Sequence, residues 1–157
     1  MANGGNLMAG KRGIIFGVAN NRSIAWGITK AVVGQGAEIA LTYQGDALKK
    51  RVEPLAAEAG AKLLLPCDVT DTASMDAVFA AADKEWGGLD FIVHAVAFSD
   101  KDQLDGRYVD TTEENFAKTM AISCYSLTAM AKRAEPLMKD GGSIVTLTYY
   151  GAEKVMP

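Results

Sequence analysis

The turn after the first apolar run of the chain carries residues suited to holding a phosphate group. Gly17 lies near the end of the run Gly13–Val18, and Ser23 begins a segment of helical character that extends to about Val33. Glycine lets the backbone approach a ligand, and the free amides at a helix N-terminus attract anions. We expect Ser23 to be the N-cap residue and to offer its hydroxyl to a phosphate, and Gly27 to allow close packing of helix on strand. Because only one glycine precedes the helix, a plain strand-to-helix turn stays open as the alternative.

Two further candidate positions follow later apolar runs. Gln44 comes directly after the run Glu38–Tyr43, where proteins that bind NAD usually carry an acidic residue that holds the adenosine ribose. A neutral glutamine repels a 2′-phosphate only weakly, so the residue type leaves NADH and NADPH open. Asp68 and Val69 end the run Lys62–Val69, in the crevice where such sheets bind ligands. A carboxylate that merely caps a loop is the alternative for Asp68.

Short apolar runs alternate along the chain with segments of helical periodicity. The runs are continuously apolar, which is typical of parallel strands covered on both faces, and their alternation with helices indicates βαβ crossovers. The sequence therefore predicts an α/β fold with a doubly wound parallel sheet of the Rossmann type. The predicted strands are Gly13–Val18, Glu38–Tyr43, Lys62–Val69, Leu89–Ala97 and Ser143–Tyr149; the predicted helices run from Ser23 to about Val33, Asp46 to Ala59, Asp71 or Thr72 to Trp86, and Thr111 or Thr112 to Leu137. The polar segment Phe98–Asp110 is predicted to be a loop.

The composition excludes several classes of function. Hydrophobic residues make up 49% and the net charge is −3, so we expect no nucleic acid partner and no membrane span. Cys67 and Cys124 stand in apolar stretches and are predicted to be core thiols, and His94, the only histidine, is predicted to pack within the sheet. These residues offer no metal site. The polar start Met1–Asn6 lacks the pattern of a signal peptide, so we expect a cytoplasmic location.

Five motifs in order give the chain a specific resemblance. Its first turn has Gly17, five residues, Ser23-Ile24-Ala25, one residue and Gly27. Ordinary short-chain dehydrogenases carry T-G-x-x-x-G-x-G there instead. From about Leu7 to Pro157, this sequence resembles the enoyl-acyl-carrier-protein reductases, a divergent branch of that superfamily. The other four motifs are Thr42-Tyr43-Gln44, Cys67-Asp68-Val69, Asp102-Gln103-Leu104-Asp105-Gly106 and Tyr149-Tyr150-Gly151-Ala152-Glu153. In addition, His94-Ala95-Val96-Ala97-Phe98 follows the fourth strand, where ordinary members of the superfamily carry N-N-A-G.

The resemblance implies a role for individual residues. Asp68 would accept a hydrogen bond from the adenine amine, Val69 would support the ring, and the T-Y-Q form resembles members that use NADH, with NADPH less favoured. Tyr149 matches a family tyrosine near the reacting thioester, with an aromatic residue at a sheet edge as its alternative. The implied cofactor-binding residues are Gly17, Ala19, Ser23, Ile24, Gln44, Asp68, Val69, Val96 and Ala97. The implied substrate-binding residues are Ala97, Phe98, Ser99, Leu104 and Tyr149, and Ala97 stands where most relatives have glycine.

The resemblance also implies that part of the catalytic machinery lies outside the sequence. In this family the proton-donating tyrosine follows Tyr149 by about ten residues and a lysine follows about seven later, which places both beyond Pro157. Residues 1–157 are therefore expected to be one Rossmann-type domain truncated after its fifth strand, from a protein of roughly 250 residues. We expect a polypeptide that ends at Pro157 to be unstable and inactive.

The activity implied for the intact protein is reduction of the trans-2 double bond of an enoyl-acyl-carrier-protein by NADH, in fatty acid synthesis. Hydride reaches C3 of the thioester, and the enolate that develops is stabilised by the tyrosine hydroxyl. The expected partners are an acyl carrier protein and three further copies in a homotetramer. Two alternatives stay open: another short-chain dehydrogenase that acts on a carbonyl, and a non-catalytic NAD-binding module.

Overall fold

The protein folds around a five-stranded parallel sheet. The computed structural model describes residues 5–154, and the strands lie side by side in the order β3-β2-β1-β4-β5. This order reverses direction between β1 and β4, as the doubly wound prediction requires. The strands are β1 (Arg12–Phe16), β2 (Glu38–Tyr43), β3 (Leu63–Pro66), β4 (Phe91–His94) and β5 (Ser143–Thr146).

Helices connect the strands on both faces of the sheet. They are α1 (Ile24–Gly34), α2 (Gly45–Ala59), α3 (Thr72–Trp86), α4 (Glu113–Met120) and α5 (Ser126–Ala134). Two of them have side-chain caps: Asp71 accepts a hydrogen bond from the Ala73 amide at the start of α3, and Thr112 accepts one from the Asn115 amide at the start of α4. Short 3-10 turns occupy Lys101–Gln103, Tyr108–Asp110, Glu135–Leu137 and Tyr150–Ala152.

Each central strand buries side chains on both faces. Ile14 and Phe16 pack with Met75 of α3 and Met130 of α5, whereas Ile15 packs on the opposite face with helices α1 and α2. All three β1 residues are fully buried. Since alternate residues of a strand point to opposite faces, a strand covered on both sides must be apolar throughout, which explains the continuous runs in the sequence.

The structure corrects several expectations about these elements. Strands β3 and β4 end at Pro66 and His94, before the predicted ends Val69 and Ala97. The predicted long helix is interrupted by a π-helical turn, Ala121–Tyr125, which joins α4 to α5. The fifth strand ends at Thr146 rather than at Tyr149. Cys124, in the π turn, is exposed rather than a core thiol, while Cys67 is buried as expected. Gly27 makes no close packing contact: a Cβ built there meets no atom within 4 Å.

Strand β5 forms one edge of the sheet and is poorly covered. All four of its residues are exposed, and among its apolar side chains Ile144 and Val145 expose 38% and 47% of their surface. An exposed apolar strand at a sheet edge readily pairs with another chain, so this surface is prone to association.

Candidate functional site

A cavity opens at the carboxyl ends of the strands, at the point where the strand order reverses. Its volume is about 460 Å³, within the range of small-molecule sites. It is lined by residues that end four neighbouring strands and by one face of the helix that follows the fourth. The lining residues are Phe16, Gly17, Val18, Ala19, Thr42, Tyr43, Gln44, Leu48, Cys67, Asp68, Val69, Ala95, Val96, Ala97, Phe98, Lys118 and Ile122.

Gly17 brings two strand ends together at the centre of the cavity. Its φ angle is +100°, and a Cβ built on it would collide with the carbonyl oxygen and carbon of Ala95. Only glycine adopts this backbone conformation easily and leaves the space that Ala95 requires. The residue type at position 17 therefore follows from the close approach of the chain after β1 to the chain after β4.

The loop from Gly17 to α1 is held by its own polar groups. Ser23 is the N-cap residue by position, but its side chain makes no capping hydrogen bond. Its hydroxyl instead donates to the carbonyl of Asn20 (2.7 Å) and accepts from the Ala19 amide (3.4 Å). The Asn20 side chain accepts a hydrogen bond from the Arg22 amide at 2.8 Å, which closes an Asx turn. Ser23 thus shapes the loop from within.

The start of α1 offers backbone donors beside this loop. The first intrahelical hydrogen bond runs from the Trp26 amide to the Ser23 carbonyl at 3.0 Å, so the amides of Ile24 and Ala25 precede the hydrogen-bonded ladder. The Ile24 side chain is 69% exposed, so this residue offers its amide, not its side chain, to a ligand. Such free amides at a helix start bind phosphate groups.

Gln44 and Asp68 form a hydrogen bond at the end of the cavity that the residues after β2 and β3 line, here called the outer end. The Gln44 amide nitrogen Nε2 donates to Asp68 Oδ2 at 2.9 Å. The other carboxylate oxygen, Oδ1, accepts from both the amide (2.8 Å) and the hydroxyl (2.7 Å) of Thr70. These bonds hold the pKa of Asp68 below its ordinary value, and the bond from the Thr70 hydroxyl has the largest effect. The carboxyl group is therefore an anion at neutral pH.

The segment that carries Asp68 is also anchored to the next helix. The Asp68 amide donates to the Ser74 hydroxyl of α3 at 2.9 Å. Cys67, just before it, is buried, and this burial together with the neighbouring Asp68 charge raises the pKa of the thiol to about 11. The cavity wall here is therefore formed by a protonated, unreactive thiol rather than by a nucleophile.

The chain after β4 lines the opposite end of the cavity, here called the inner end, together with Lys118 and Ile122. Val96 is half-buried there, Ala97 and Phe98 are exposed, and the Phe98 amide donates to the Ser123 hydroxyl of the π turn at 3.1 Å. Lys118 of α4 lies over the Phe98 ring, with 5.6 Å from its Nζ to the ring centroid. The π turn and α4 thus hold the end of this segment in place.

An ion pair and a buried amide fasten the following residues to α4. Lys118 Nζ donates to both carboxylate oxygens of Asp100, at 2.9 and 2.8 Å, and these bonds raise the pKa of Lys118. The Asn115 side chain is 4% exposed; its oxygen accepts from the Asp100 amide at 2.9 Å, and its nitrogen donates to Ser99 Oγ at 3.1 Å. The start of the loop 98–110 is therefore docked rather than free.

His94 is buried at the end of β4 and links three elements. Its Nδ1 lies 2.9 Å from Thr146 Oγ1 of β5, and its Nε2 lies 2.7 Å from Ser126 Oγ at the start of α5. Because the Ser126 hydroxyl donates to the Ile122 carbonyl (2.6 Å), it accepts from His94 Nε2–H, and Nδ1 then accepts from Thr146. Burial lowers the pKa of His94, which keeps the ring neutral. The expectation of a residue packed in the sheet is confirmed.

Eight of the residues selected from the sequence line this one cavity: Gly17, Ala19, Gln44, Asp68, Val69, Val96, Ala97 and Phe98. Five do not line it: Ser23, Ile24, Ser99, Leu104 and Tyr149. Ser23 and Ile24 flank it at the start of α1, and Ser99 is bonded to Asn115. The side chains of Leu104 and Tyr149 are each 69% exposed and lie away from its walls.

Sequence reasoning missed two residues that form the inner wall. Lys118 and Ile122 lie four positions apart on the α4 segment and the π turn, so they share one face. This spacing was readable in the sequence, but nothing in it says which face of the helix covers the strand ends. Leu48 of α2, also in the wall, was missed for the same reason.

Other kinds of site are not formed by the described part of the chain. Residues 5–154 contain no group of three or more potential metal ligands, and none of their helices has the length and apolarity to cross a bilayer. The spacing Tyr-x-x-x-Lys does occur at Tyr150 and Lys154, where the lysine ammonium lies 5.6 Å from the centroid of the tyrosine ring. Neither of these two residues lines the cavity.

Comparison with known proteins gives one consistent family. Residues 17–157 match the family model of enoyl-(acyl carrier protein) reductase. The chain is 69% identical over its whole length to enoyl-(acyl-carrier-protein) reductase (NADH) 1 of Rhizobium meliloti, of which it covers 58%, and 53% identical over 96% of its length to the NADH enzyme of Rickettsia bellii, again 58% covered. The chain therefore spans little more than half the length of these relatives.

Solved structures agree with the sequence relatives. The reductase of Anaplasma phagocytophilum in complex with NAD superposes with a TM-score of 0.94 at 63% identity, covering 98% of this chain and 58% of that one. The Bacillus cereus enzyme with NADP+ and an indole naphthyridinone superposes with a TM-score of 0.92 at 41% identity, covering 96% and 60%. Similar chains have thus been crystallised with either dinucleotide.

Proposed function

Because this chain belongs to the enoyl-(acyl carrier protein) reductase family, we propose that the intact protein reduces the trans-2 double bond of an enoyl-acyl-carrier-protein with NADH. The observation that carries the proposal is a cavity at the reversal of strand order, which is lined by eight of the residues that the sequence predicts for the site. Ligands bind such sheets at this place. The chain described above supplies the cofactor-binding part of that enzyme.

The cavity suits an elongated dinucleotide with its adenine at the outer end. The Asp68 carboxylate and the Val69 backbone are assigned to the adenine, and Gln44 to its ribose. Gly17, Ala19 and Ser23 belong to the turn assigned to the pyrophosphate, where the Ile24 and Ala25 amides precede the helical ladder. Gly17, with a φ of +100°, begins this turn, and its lack of a side chain leaves room for the Ala95 carbonyl beside the assigned pyrophosphate position.

The nicotinamide end is assigned to the segment after β4. The backbone of Val96 and Ala97 is assigned to contact the nicotinamide ribose. Phe98 and Ile122 contribute the apolar side chains of the inner wall. When bound, NADH supplies the hydride that goes to C3 of the thioester. The chain's own contribution is to orient that end and exclude water through the side chains of Phe98 and Ile122, while the bonds of Ser99 and Asp100 to Asn115 hold the segment that carries Phe98.

The substrate is assigned to the space between this inner wall and residues that follow. Leu104 and Tyr149 are exposed in the described chain, as residues that contact a bound acyl chain or further protein would be. In the family arrangement the tyrosine that stabilises the enolate and the lysine that holds the nicotinamide ribose come after Pro157. Ala97 lines the cavity, so its methyl group would narrow the space for the substrate.

The proposal includes the partners of the intact protein. The substrate is delivered by an acyl carrier protein, and the protein assembles as a homotetramer in the cytoplasm. Exposed apolar side chains on α4 and the π turn, among them Phe116, Met120 and Tyr125, support burial of that face in an assembly. Native mass spectrometry of the intact protein tests the assembly.

The function is tested by following NADH oxidation by the intact protein with a crotonyl thioester, an acetoacetyl thioester and no substrate. Oxidation with the crotonyl thioester and formation of the saturated product support the proposal. Oxidation with the acetoacetyl thioester alone favours a dehydrogenase that acts on a carbonyl. NADH binding, measured by fluorescence, without turnover of either thioester favours a non-catalytic module.

A further inference from the structure

The segment His94–Phe98 is held at both ends by serines of the interrupted helix. At its start, His94 Nε2 lies 2.7 Å from the hydroxyl of Ser126, the residue that ends the π turn. At its other end, the Ser123 hydroxyl accepts from the Phe98 amide at 3.1 Å and donates to the Phe98 carbonyl at 3.3 Å. Because Ser123 lies within the π turn, both ends of the segment are fastened to the same piece of helix.

Ser126 also connects His94 to the wall of the cavity. Its hydroxyl donates to the carbonyl of Ile122 at 2.6 Å, so the same hydroxyl accepts from His94 Nε2–H. A serine that bonds the carbonyl four residues back competes with the backbone ladder of a helix, and the helix widens into the π turn at this place. The side chain of Ile122 lines the inner end of the cavity. Two consecutive hydrogen bonds therefore link β4 to a wall residue.

These bonds lie in the interior, where water does not replace them. Ser126 and His94 expose 0% and 2% of their surface. The second ring nitrogen, Nδ1, lies 2.9 Å from Thr146 Oγ1, directly across the ladder between β4 and β5. Loss of either partner leaves a buried polar atom unsatisfied, which is costly, so the ring and the serine keep one arrangement.

We propose that His94 is a positioning residue for hydride transfer, because its bond to Ser126 sets how far the Ile122 wall lies from the segment assigned to the nicotinamide. This inference rests on the proposed function and deepens it. His94 does not line the cavity. It acts through Ile122 on one side of the inner end and through the residues that follow it in the chain on the other.

The rate of hydride transfer depends steeply on how the nicotinamide is held. A displacement of about 1 Å slows a reaction by roughly a hundredfold, because the reacting atoms must approach to about 3–3.5 Å in the right orientation. The backbone of Val96 and Ala97 forms one side of the inner end, and Ile122 contributes to its wall from the helix. A π turn released from His94 can shift against β4 and widen this space. The outer end, at Asp68, takes no part in these bonds.

Two deletions of a hydroxyl group separate this link from a general effect on stability. Ser126→Ala removes the group between His94 and Ile122. Thr146→Val is the matched control, because it also deletes a hydroxyl bonded to the His94 ring but leaves the bond to Ser126 intact. His94→Phe tests the link a second time: it keeps a ring, removes both ring nitrogens and leaves the bond from Ser126 to Ile122 in place. Circular dichroism and thermal melting of the intact protein report whether each variant is folded.

The first measurement is the rate constant of hydride transfer in a single turnover, with NADH and a crotonyl thioester both saturating. This first-order constant does not depend on the fraction of folded protein, so a loss of stability alone leaves it unchanged. We expect it to fall about tenfold or more in Ser126→Ala and in His94→Phe, and to stay within about twofold of the wild type in Thr146→Val. NADH deuterated at the transferred position confirms that the observed step is hydride transfer.

The second measurement locates the effect within the cofactor. Calorimetric titration gives the dissociation constants of NADH and of ADP-ribose, which lacks the nicotinamide. Ser126→Ala should weaken the binding of NADH several-fold and leave that of ADP-ribose within about twofold, because only the inner end of the cavity is disturbed. Thr146→Val should change neither constant by more than about twofold.

Three results would overturn the inference. The first is an unchanged rate constant of hydride transfer in Ser126→Ala and His94→Phe. The second is an equal fall of that constant in Thr146→Val, which would assign the effect to the burial of the ring and not to its link with the π turn. The third is an equal loss of affinity for NADH and ADP-ribose in Ser126→Ala. Failure of the proposed function is a different result, in which the wild type does not reduce the crotonyl thioester at all.

Discussion

Gly17 lies directly against the backbone carbonyl of Ala95, and no side chain fits between them. The contact joins the turn after β1 to the segment after β4, which are separated by almost eighty residues in the chain. At Gly17 the backbone has a φ of +100°, a region that residues with a Cβ rarely adopt. The pocket centre therefore depends on one residue without a side chain.

Gly17→Ala should destabilise the intact protein and abolish NADH binding. Left-handed strain contributes about 1–3 kcal/mol, and the collision with Ala95 adds to it. Gly27→Ala is the matched control, because its Cβ enters open space within α1 and alanine favours helix by roughly 0.5–1 kcal/mol. Urea unfolding curves and NADH titrations of both variants measure the difference. Equal effects of the two substitutions would contradict the role assigned to Gly17.

His94 should make stability fall in mild acid. Burial lowers its pKa in the folded protein below the ordinary 6.5, so below that pH the unfolded chain takes up the proton more readily. The contribution of the neutral ring is therefore complete above about pH 6.5 and is lost as the pH falls further. We expect the free energy of unfolding, from urea curves, to decrease between pH 7.5 and 5.5.

His94→Gln is the variant that tests this assignment. Because the variant lacks the buried ring that takes up this proton, the decrease between pH 7.5 and 5.5 should be smaller in the variant. The variant should also be less stable at pH 7.5 by about 1–3 kcal/mol, since the bonds to Thr146 and Ser126 are broken or weakened. If the free energy of unfolding changes equally with pH in both proteins, a group other than His94 is responsible.

Removing the Lys118–Asp100 ion pair should loosen the loop 98–110 without unfolding the protein. Both groups are near solvent, so the effect is expected in local opening rather than in global stability. Hydrogen exchange of peptides from this segment should accelerate in Lys118→Met and in Asp100→Asn. Exchange in the double variant should be little faster than in either single variant, because the two residues act through one contact. Lys132→Met, on the exposed part of α5, is the control and should leave the loop unchanged.

Cys67 should resist alkylation in the native protein. Its thiol is buried and has a pKa of about 11, raised from 9.0, so at pH 8 the reactive thiolate is about a hundredfold scarcer than in an unfolded chain. Iodoacetamide labelling followed by peptide mass spectrometry compares native protein with protein in urea. Rapid native labelling of Cys67 would indicate that this wall of the cavity opens readily.

A polypeptide restricted to residues 1–157 should aggregate and lack reductase activity. The exposed apolar side chains of β5 and of Leu147 beyond it would be left at an open sheet edge. Light scattering and the crotonyl thioester assay, run beside the intact protein, measure both properties. A monodisperse 157-residue product with activity would contradict the expectation.

The sequence alone predicts the parallel sheet and the family to which the chain belongs. Apolar runs covered on both faces gave five parallel strands, and because parallel strands end at one edge, Gln44 and Asp68 were expected in one crevice. The order of motifs identified the family, which the matched residues 17–157 confirm. These inferences depend on local patterns, which the sequence displays directly.

Only the tertiary structure decided which groups meet. The Gln44–Asp68 bond joins residues 24 positions apart, and Gln44 donates in it because the ionised carboxylate can only accept. Thr70 occupies the other carboxylate oxygen, and no sequence pattern predicts that contact. The wall formed by Lys118 and Ile122 depends on which face of a helix covers the strand ends. Local periodicity predicts that a helix has an apolar face. Which residues that face contacts depends on the packing of segments far apart in the chain, and the hydrogen-bond partners at each site follow from that packing.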